Sequence, residues 1–161
     1  MSMGGEWGQK HLAINRLRDI TPTVSDWGTD PTNLGNITDN DWDTVTGTGS
    51  TILGGAGIVG RVMFDMGAEY TVLVGGKIGM WSTANEMRLY FYWSLDGVTW
   101  NPMMGGGNIV MAETVAAESL STWASVYVRT RHIRLQFYCS GAATANAKLY
   151  EVQAIEFADV F

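Results

Sequence analysis

Residues 87–100 read MRLYFYWSLDGVTW, and this stretch decides the fold class. Over its first eight residues, apolar side chains occupy every second position: Met87, Leu89, Phe91 and Trp93. A period of two predicts a β-strand with one buried face. Asp96-Gly97 predicts a tight turn after the strand, and Trp100 then returns to bury its ring beside it. We therefore expect an antiparallel hairpin with Trp93 and Trp100 in the core.

A second stretch, residues 132–137, has the same period, with three apolar side chains on one side: Ile133, Leu135 and Phe137. Shorter β-branched or aromatic runs, separated by glycine or asparagine clusters, occur at residues 61–64, 70–74, 125–128 and 149–157. Only residues 111–120 have a helical composition, and strong capping residues are missing there. Many short strands with turns between them predict an all-β fold, an antiparallel β-sandwich or jelly roll.

Length and charge limit the partners. The chain has 161 residues, which predicts a single domain over residues 11–161, preceded by an N-terminal arm of residues 1–10. Its charged share of 16% is well below the roughly 25% of an average soluble domain. No basic run provides the patch that nucleic acids require, and no apolar run reaches the length of a membrane span. We therefore expect contacts with uncharged surfaces, either neutral sugars or neighbouring subunits.

The single cysteine, Cys139, excludes an internal disulfide and a multi-cysteine zinc site. Its strand-like surroundings predict a small buried side chain. Residues 1–16 lack the apolar stretch of a secretion signal. We therefore expect synthesis in the cytoplasm, and a virion surface as the place of action if the chain belongs to a phage particle.

Motifs for catalysis are weak. Residues 55–60, GAGIVG, match a dinucleotide-binding fingerprint by spacing, but a strand-like run follows where that motif requires a helix. Residues 75–78, GGKI, lack the flanking residues of a phosphate-binding loop. His11 and His132 have no recognisable nucleophile motif nearby. We expect no enzyme, and the one alternative left open is a glycosidase pair of carboxylates that are distant in sequence.

The segment 39–44, DNDWDT, places side-chain oxygens at alternate positions. Such ligands suit a hard cation such as Ca²⁺, although the spacing of an EF-hand loop is absent. A solvated turn without a metal explains the same residues. From the residues alone, both interpretations remain open.

The order of these features resembles the discoidin, or coagulation factor 5/8 C-type, family of galactose-binding-like β-sandwiches, which includes bacterial carbohydrate-binding modules. Residues 94–100, SLDGVTW, match the S-x-D-G-x-x-W hairpin of that family in full. Further segments match it in part and in the same order: 11–13, 21–27, 39–46, 64–67, 128–135 and 149–152. The resemblance spans residues 11–157 and implies a jelly-roll sandwich.

The resemblance also implies a structural Ca²⁺ that ties the acidic segment to the last strand. The implied ligands, which backbone carbonyls would complete, are Asp39, Asp41, Thr44 and Glu151. Asn40 stands where the family has glycine, and Thr46 stands where it has tryptophan. The disulfide that joins the two ends of eukaryotic members is impossible with one cysteine.

Members of this family bind through loops at one end of the sandwich, with exposed aromatic side chains that stack on sugars or insert into lipid. The resemblance points to four tryptophans and two polar partners: Trp27, Trp42, Trp81, Trp123, Asn85 and Arg88. Packing in the core or at an interface is the alternative for each tryptophan.

We favour a non-catalytic interaction protein, namely a structural, decoration or adhesion subunit of a phage-virion-like assembly. Such a subunit would form a homo-oligomer and would also bind neutral cell-surface glycans. The alternative is a stand-alone carbohydrate-binding, lectin-like module, and a glycan-active enzyme comes third. The assembly comes first because secreted lectin-like modules normally carry a signal peptide, which residues 1–16 do not show, whereas a virion protein is made without one.

Overall fold

The computed structural model describes residues 10–47, 49–52, 57–82, 86–103, 109–112, 119–141 and 144–160. Within them the chain forms nine β-strands, all paired in antiparallel fashion, and one 3-10 helix, Leu34–Ile37. The strands are β1 (Lys10–Asn15), β2 (Thr23–Ser25), β3 (Gly49–Ile52), β4 (Gly57–Ser82), β5 (Met87–Ser94), β6 (Asn101–Pro102), β7 (Ile109–Ala112), β8 (Ser119–Cys139) and β9 (Thr144–Val160). The all-β, antiparallel prediction is confirmed.

Strands β4 and β8 are the longest and pair with each other along most of their lengths. Their register shifts between Asp65 and Tyr70, and their neighbours change at this point. Before the shift they lie with β2, β5, β6 and β7, which we call the first sheet. After it, β4 pairs with β9, which also carries β1 and β3, and we call this the second sheet. The corner is the place where both long strands pass between the sheets, residues 65–70 and 130–132.

The core lies between the two sheets and takes alternate side chains from both. Its largest fully buried apolar side chains are Phe64, Leu89, Ile133, Leu135 and Phe137 from the first sheet, and Ile78, Met80 and Leu149 from the second. Each contributes roughly 1.5–3 kcal/mol when it is removed from water. The predicted alternation is confirmed in both stretches, and Cys139 is buried as expected.

The turn after β5 has the conformation that the sequence predicts. Gly97 has a φ of +74°, in the left-handed region that favours glycine. The Asp96 carboxylate accepts hydrogen bonds from the N–H groups of Thr99 and Val98, at 2.7 and 2.9 Å, and from the Ser94 hydroxyl at 2.9 Å. These bonds hold the pKa of Asp96 below its usual range, and those from the Thr99 and Val98 N–H groups have the largest effect.

The prediction for the two tryptophans of this hairpin is right for one and wrong for the other. Trp93 packs against the core. Trp100 is half-buried, and its ring lies against the Arg134 guanidinium, 4.4 Å from the ring centre. Because Arg134 alternates with the buried Ile133 and Leu135 along β8, it points away from the core. Trp100 therefore lies on the outer face of the first sheet.

The ends of the domain and its helix content complete the fold. Residues 1–9, most of the predicted N-terminal arm, lie outside the described residues, and Lys10 already pairs with Val160. Residues 111, 112, 119 and 120, despite their helical composition, lie in strands β7 and β8. In the part of the chain that the structure describes, no helix is long and apolar enough to cross a membrane.

Candidate functional site

The acidic loop, residues 39–44, follows the 3-10 helix and is held by hydrogen bonds between its own residues. The Thr44 hydroxyl donates a hydrogen bond to Asp39 Oδ2 at 2.7 Å, and the Asp41 N–H donates to Asp39 Oδ1 at 2.9 Å. The Asp43 N–H donates to Asp41 Oδ1 at 2.9 Å. Three of the predicted metal ligands, Asp39, Asp41 and Thr44, therefore lie within one turn.

The two departures from the family pattern both hold this loop in place. Asn40 has a φ of +70°, which glycine adopts most easily and asparagine tolerates. Its side-chain oxygen accepts a hydrogen bond from Gln153 Nε2 at 3.0 Å. Thr46 is 2% exposed; its N–H donates to the Leu149 carbonyl, and its hydroxyl oxygen accepts from the Leu149 N–H, each at 3.0 Å. Both residues thus attach the loop to β9.

Glu151, the fourth predicted metal ligand, lies on β9 beneath the acidic loop. Its side chain is 0% exposed, and neither carboxylate oxygen makes a well-formed hydrogen bond with the described residues, although the Gln153 side chain and the Asn40 N–H lie near enough to oppose the effect of burial on its pKa. Burial, with the nearby negative charges of Asp39 and Asp41, raises the pKa of Glu151 to about 7. A carboxylate buried in this way is unfavourable unless it takes up a proton or meets a cation.

The loop and Glu151 together offer the kind of ligand that a calcium ion prefers, namely carboxylate, hydroxyl and carbonyl oxygens. The fully buried carboxylate, whose oxygens make no well-formed hydrogen bond with the described residues, is the observation that fits a cation at this place. Within the described ranges, no three His, Cys, Asp or Glu side chains are already grouped to hold a metal ion. Asp39 and Asp41 accept hydrogen bonds from their own loop instead, so a cation would have to replace those bonds.

Trp42 is the predicted binding residue that the acidic loop presents to solvent, with 37% of its surface exposed. Its carbonyl oxygen accepts a hydrogen bond from Lys77 Nζ at 3.0 Å, and the same ammonium group lies 4.7 Å from the centre of the Tyr150 ring. The backbone of Lys77 on β4 lies directly opposite that of Glu151 on β9. The exposed ring is therefore anchored to the strands that carry the buried carboxylate.

Trp27 is held in place by packing. Its ring centre lies 5.4 Å from that of Phe137, and its Nε1 donates to the Arg61 carbonyl at 3.1 Å. A Cβ added at Gly60 would lie 2.2 Å from the indole ring. Glycine at position 60 thus makes room for the half-buried Trp27 ring. A role of Trp27 in ligand binding stays a prediction.

Two further predicted residues flank the connection between β4 and β5. Trp81 is half-buried near the end of β4, with Lys148 Nζ 5.9 Å from its ring centre. Arg88, the second residue of β5, is half-buried and pairs with Glu86. Trp81 near the end of β4 and Arg88 near the start of β5 thus lie on either side of the connection between these two strands.

The last two predicted residues are only partly placed. Trp123 pairs through its backbone with Gly76, and its side chain is not among those described. Asn85 lies outside the described residues. A shared site of these residues with Trp81 and Arg88 therefore stays a prediction.

The outer face of the first sheet carries an aromatic surface to which the sequence analysis assigns no role. Tyr90 and Tyr92 stack at 6.4 Å with 25° between their planes, and Tyr138 meets Tyr90 edge-on at 6.3 Å. The Arg134 guanidinium lies 4.6 Å from the Tyr92 ring centre and also covers Trp100. The signal in the sequence is the tyrosine at outward positions of β5, where charged residues are more usual.

No family model and no curated protein sequence matches this chain. Solved structures do. The module CBM32-3 from a family 31 glycoside hydrolase of Clostridium perfringens matches with a TM-score of 0.53 and 12% identity, over 91% of this chain and 95% of that one. The module CpGH89CBM32-5 of Clostridium perfringens, in complex with GalNAc-β-1,3-galactose, matches with a TM-score of 0.50 and 13% identity, over 89% of this chain and 99% of that one.

At these identities the likeness shows the fold. Both matches span nearly the whole of either chain, so the similarity is not confined to one hairpin. The galactose-binding-like, discoidin-like β-sandwich that the sequence resembles is thereby confirmed.

Proposed function

We propose that this galactose-binding-like β-sandwich is a non-catalytic module that binds glycans. The observation that carries the proposal is the fold, which it shares with a module solved in complex with GalNAc-β-1,3-galactose. A charged share of only 16% and an exposed tryptophan on a loop suit a neutral sugar, because aromatic rings line sites for ligands with apolar faces.

The proposed sugar contacts are Trp42 on the acidic loop, Trp81, Asn85 and Arg88 around the β4–β5 connection, Trp123 on β8, and the half-buried Trp27. Trp42 offers an exposed ring whose backbone Lys77 holds in place. Arginine and asparagine side chains would orient the sugar hydroxyls, since both present fixed sets of hydrogen-bond donors.

A glycan array tests this proposal with three proteins: the native chain, Trp42→Ala and Val98→Ala. Val98 is 81% exposed on the turn after β5, so its variant is a matched control for the loss of an exposed apolar side chain. We expect the native chain and Val98→Ala to bind the same glycans equally well, and Trp42→Ala to bind them more weakly. A blank array across a broad library would count against glycan binding, and full binding by Trp42→Ala would exclude the proposed position.

We also propose that a structural Ca²⁺ lies between the acidic loop and β9. Asp39, Asp41, Thr44 and Glu151 would hold it, with backbone carbonyls. The ion would supply the positive charge that the buried Glu151 lacks and would fix the loop that presents Trp42. Thermal unfolding measured in Ca²⁺ and in chelator tests this proposal. We expect a higher melting temperature in Ca²⁺, and equal melting temperatures in both conditions would contradict the site.

The absence of catalysis is part of the proposal and has its own test. His132 lies 3.8 Å from Asp65, but the nearby Thr130 hydroxyl has only backbone carbonyls as acceptors for its single hydrogen, those of Ser94 at 2.9 Å and His132 at 2.8 Å, and neither activates it as a nucleophile. We expect any glycan that binds on the array to be recovered intact after long incubation. Mass spectrometry of the recovered glycan would reveal cleavage if it occurs.

A second role, as a subunit of a larger assembly such as a phage virion, is favoured by the outer face of the second sheet. Leu73 of β4 pairs with Tyr127 of β8 on one side and with Ile155 of β9 on the other. Tyr127 is 56% exposed, and Phe157, two residues along β9 from Ile155, is 47% exposed. We propose that this apolar row packs against a second copy of the chain, because neighbouring exposed apolar side chains are typical of interfaces.

Analytical ultracentrifugation tests the second role. We expect the native chain to form an oligomer and Tyr127→Ser to shift it towards the monomer. Val98→Ser, which also removes an exposed apolar side chain, should leave the oligomer unchanged. A native chain that stays monomeric at high concentration would contradict self-assembly through this face.

A further inference from the structure

An open cavity of about 270 Å³ lies at the corner, where residues 20–23 and the turn after β5 approach strands β4 and β8. None of the predicted sugar or metal ligands lines it. We propose that this corner cavity binds a single neutral sugar ring, as a second binding site that is independent of the one at the acidic loop. Its lining supplies the reasons, in the form of hydrogen-bonding groups, an aromatic wall and a balanced charge.

Asp65 supplies a fixed hydrogen-bond acceptor on the cavity wall. Arg131 grips its carboxylate with two hydrogen bonds, from Nε to Oδ1 at 2.8 Å and from a terminal nitrogen to Oδ2 at 3.0 Å. The Gly67 N–H donates to Oδ1 at 2.8 Å. These contacts lower the pKa of Asp65 to about 2, and the hydrogen bonds from Arg131 have the largest effect. The carboxylate is therefore ionised at any physiological pH and held in one orientation, ready to accept from a ligand hydroxyl.

Three further polar side chains line the same cavity: Thr21, Thr23 and His132. A threonine hydroxyl can donate and accept, and a neutral imidazole offers one donor and one acceptor. The His132 side chain is 16% exposed, and its Nδ1 lies 3.8 Å from Asp65 Oδ1. Together with Asp65, these groups can meet the hydroxyls of a sugar, which both donate and accept.

Trp100 provides the apolar wall, with Met63 and Ile20. Its ring is half-buried, and the Arg134 guanidinium lies 4.4 Å from the ring centre while also lying 4.6 Å from that of Tyr92. This stacking fixes the indole on the outer face of the first sheet. A fixed aromatic ring loses little conformational entropy when a ligand packs on it.

The charges around the cavity select a neutral ligand. A cation would meet Arg131 beside Asp65, and it would find the Trp100 ring already engaged by the Arg134 guanidinium. An anion would meet the ionised Asp65. The volume lies just below the roughly 300 Å³ at which sites for drug-sized ligands begin, so one ring fits and a longer glycan enters only by its end or a branch.

Proton–nitrogen correlation NMR of the full chain, titrated with free galactose, N-acetylgalactosamine, glucose and mannose, tests the corner cavity. The backbone N–H groups of Thr23 and Gly97 and the indole N–H of Trp100 report on it. We expect at least one of these sugars to shift all three signals in the native chain. Thr23→Val keeps the side-chain shape without the hydroxyl and should weaken that binding about tenfold, which corresponds to the loss of one buried hydrogen bond.

Two controls separate this site from the one at the acidic loop. Trp42→Ala should leave the sugar-induced shifts at the corner, and the sugar affinity measured there, unchanged. Trp100→Ala removes one of the three reporters and should abolish the sugar-induced shifts of the other two, Thr23 and Gly97. If none of the four sugars shifts Thr23, Gly97 or Trp100, or if Thr23→Val and Trp100→Ala bind like the native chain, the corner site is wrong. Shifts at the acidic loop without shifts at the corner would overturn this inference and leave the proposed glycan function standing.

Discussion

Two acidic regions of this protein treat their carboxylates in opposite ways. On the turn after β5, Asp96 is exposed and accepts hydrogen bonds from Ser94, Val98 and Thr99. Beneath the acidic loop, Glu151 is 0% exposed, and its carboxylate oxygens make no well-formed hydrogen bond with the described residues. The chain itself satisfies Asp96, which identifies that turn as structural. The charged form of Glu151 is favourable only beside a cation, and we propose that this region binds Ca²⁺.

The pKa values of the two groups diverge for the same reason. Hydrogen bonds from Thr99 and Val98 stabilise the charged form of Asp96 and lower its pKa. Burial destabilises the charged form of Glu151 and raises its pKa to about 7. The two residues should therefore give opposite signs to the pH dependence of stability.

The largest expected effect is the pH dependence that Glu151 causes in chelator. Its unfolded pKa is near 4.5 and its folded pKa is about 7, so the folded state binds the proton more tightly between these values. The penalty is absent below pH 4.5 and complete above pH 7, and it amounts to at most about 3 kcal/mol. Urea unfolding at several pH values should show stability falling as the pH rises through this window.

Glu151→Gln isolates that effect, because the amide keeps the shape of the side chain and does not titrate. The difference in unfolding free energy between the native chain and Glu151→Gln should vanish in acid and grow towards neutral pH. Parallel pH curves for the two proteins would show that Glu151 does not carry a raised pKa.

Next in size is the response to Ca²⁺. A ligand that binds only the folded state adds about 2.7 kcal/mol at a hundred times its Kd. We expect Ca²⁺ to raise the unfolding free energy of the native chain by about this amount, and to leave Glu151→Gln nearly unchanged. Mg²⁺ is a suitable control cation, because it is smaller and loses its water less readily.

Removal of the Asp96 carboxylate should have a smaller effect on stability, with the opposite dependence on pH. Asp96→Ala deletes the acceptor for two backbone N–H groups and the Ser94 hydroxyl, and the melting temperature should fall by a few degrees whether or not Ca²⁺ is present. The stability that Asp96 adds is present above its unfolded pKa of 3.8 and is lost as the pH falls below that value. Calorimetry in acid and at neutral pH would measure both effects.

The smallest expected effect concerns the ion pair at the corner. Asp65 is about half exposed and bound by Arg131 through two hydrogen bonds, so Asp65→Asn should cost less than about 1 kcal/mol. The loss should be present at neutral pH and should disappear as the pH falls towards the folded pKa of about 2. A loss well above that size in urea unfolding would show that Asp65 is a structural residue first.

The fold could be predicted where the side-chain period is unbroken. Residues 87–94 and 132–137 alternate cleanly, and both became strands with the expected buried face. The runs at 61–64 and 70–74 turned out to be parts of one strand, β4, because exposed residues at the corner interrupt the period between them. Local patterns do not show that a strand passes from one sheet to another.

The site was accessible to sequence only in part. The acidic loop is contiguous, and the resemblance linked it to Glu151, but the burial of Glu151 and its lack of a well-formed hydrogen bond depend on the packing of the loop on β9. The hairpin motif predicted Trp100 in the core, whereas its ring lies on the outer face of the first sheet. A matched motif does not determine which face of a sheet a ring covers. The corner cavity combines four separate segments of chain, so no sequence window contains it.

Calorimetric titration of Ca²⁺ into the metal-free native chain, Glu151→Gln and Asp96→Ala tests the contrast between the two regions most directly. We predict saturable binding of one ion by the native chain and by Asp96→Ala, and none by Glu151→Gln. Equal binding by all three proteins, or no binding by the native chain, would contradict the claim that the buried Glu151 marks a binding site.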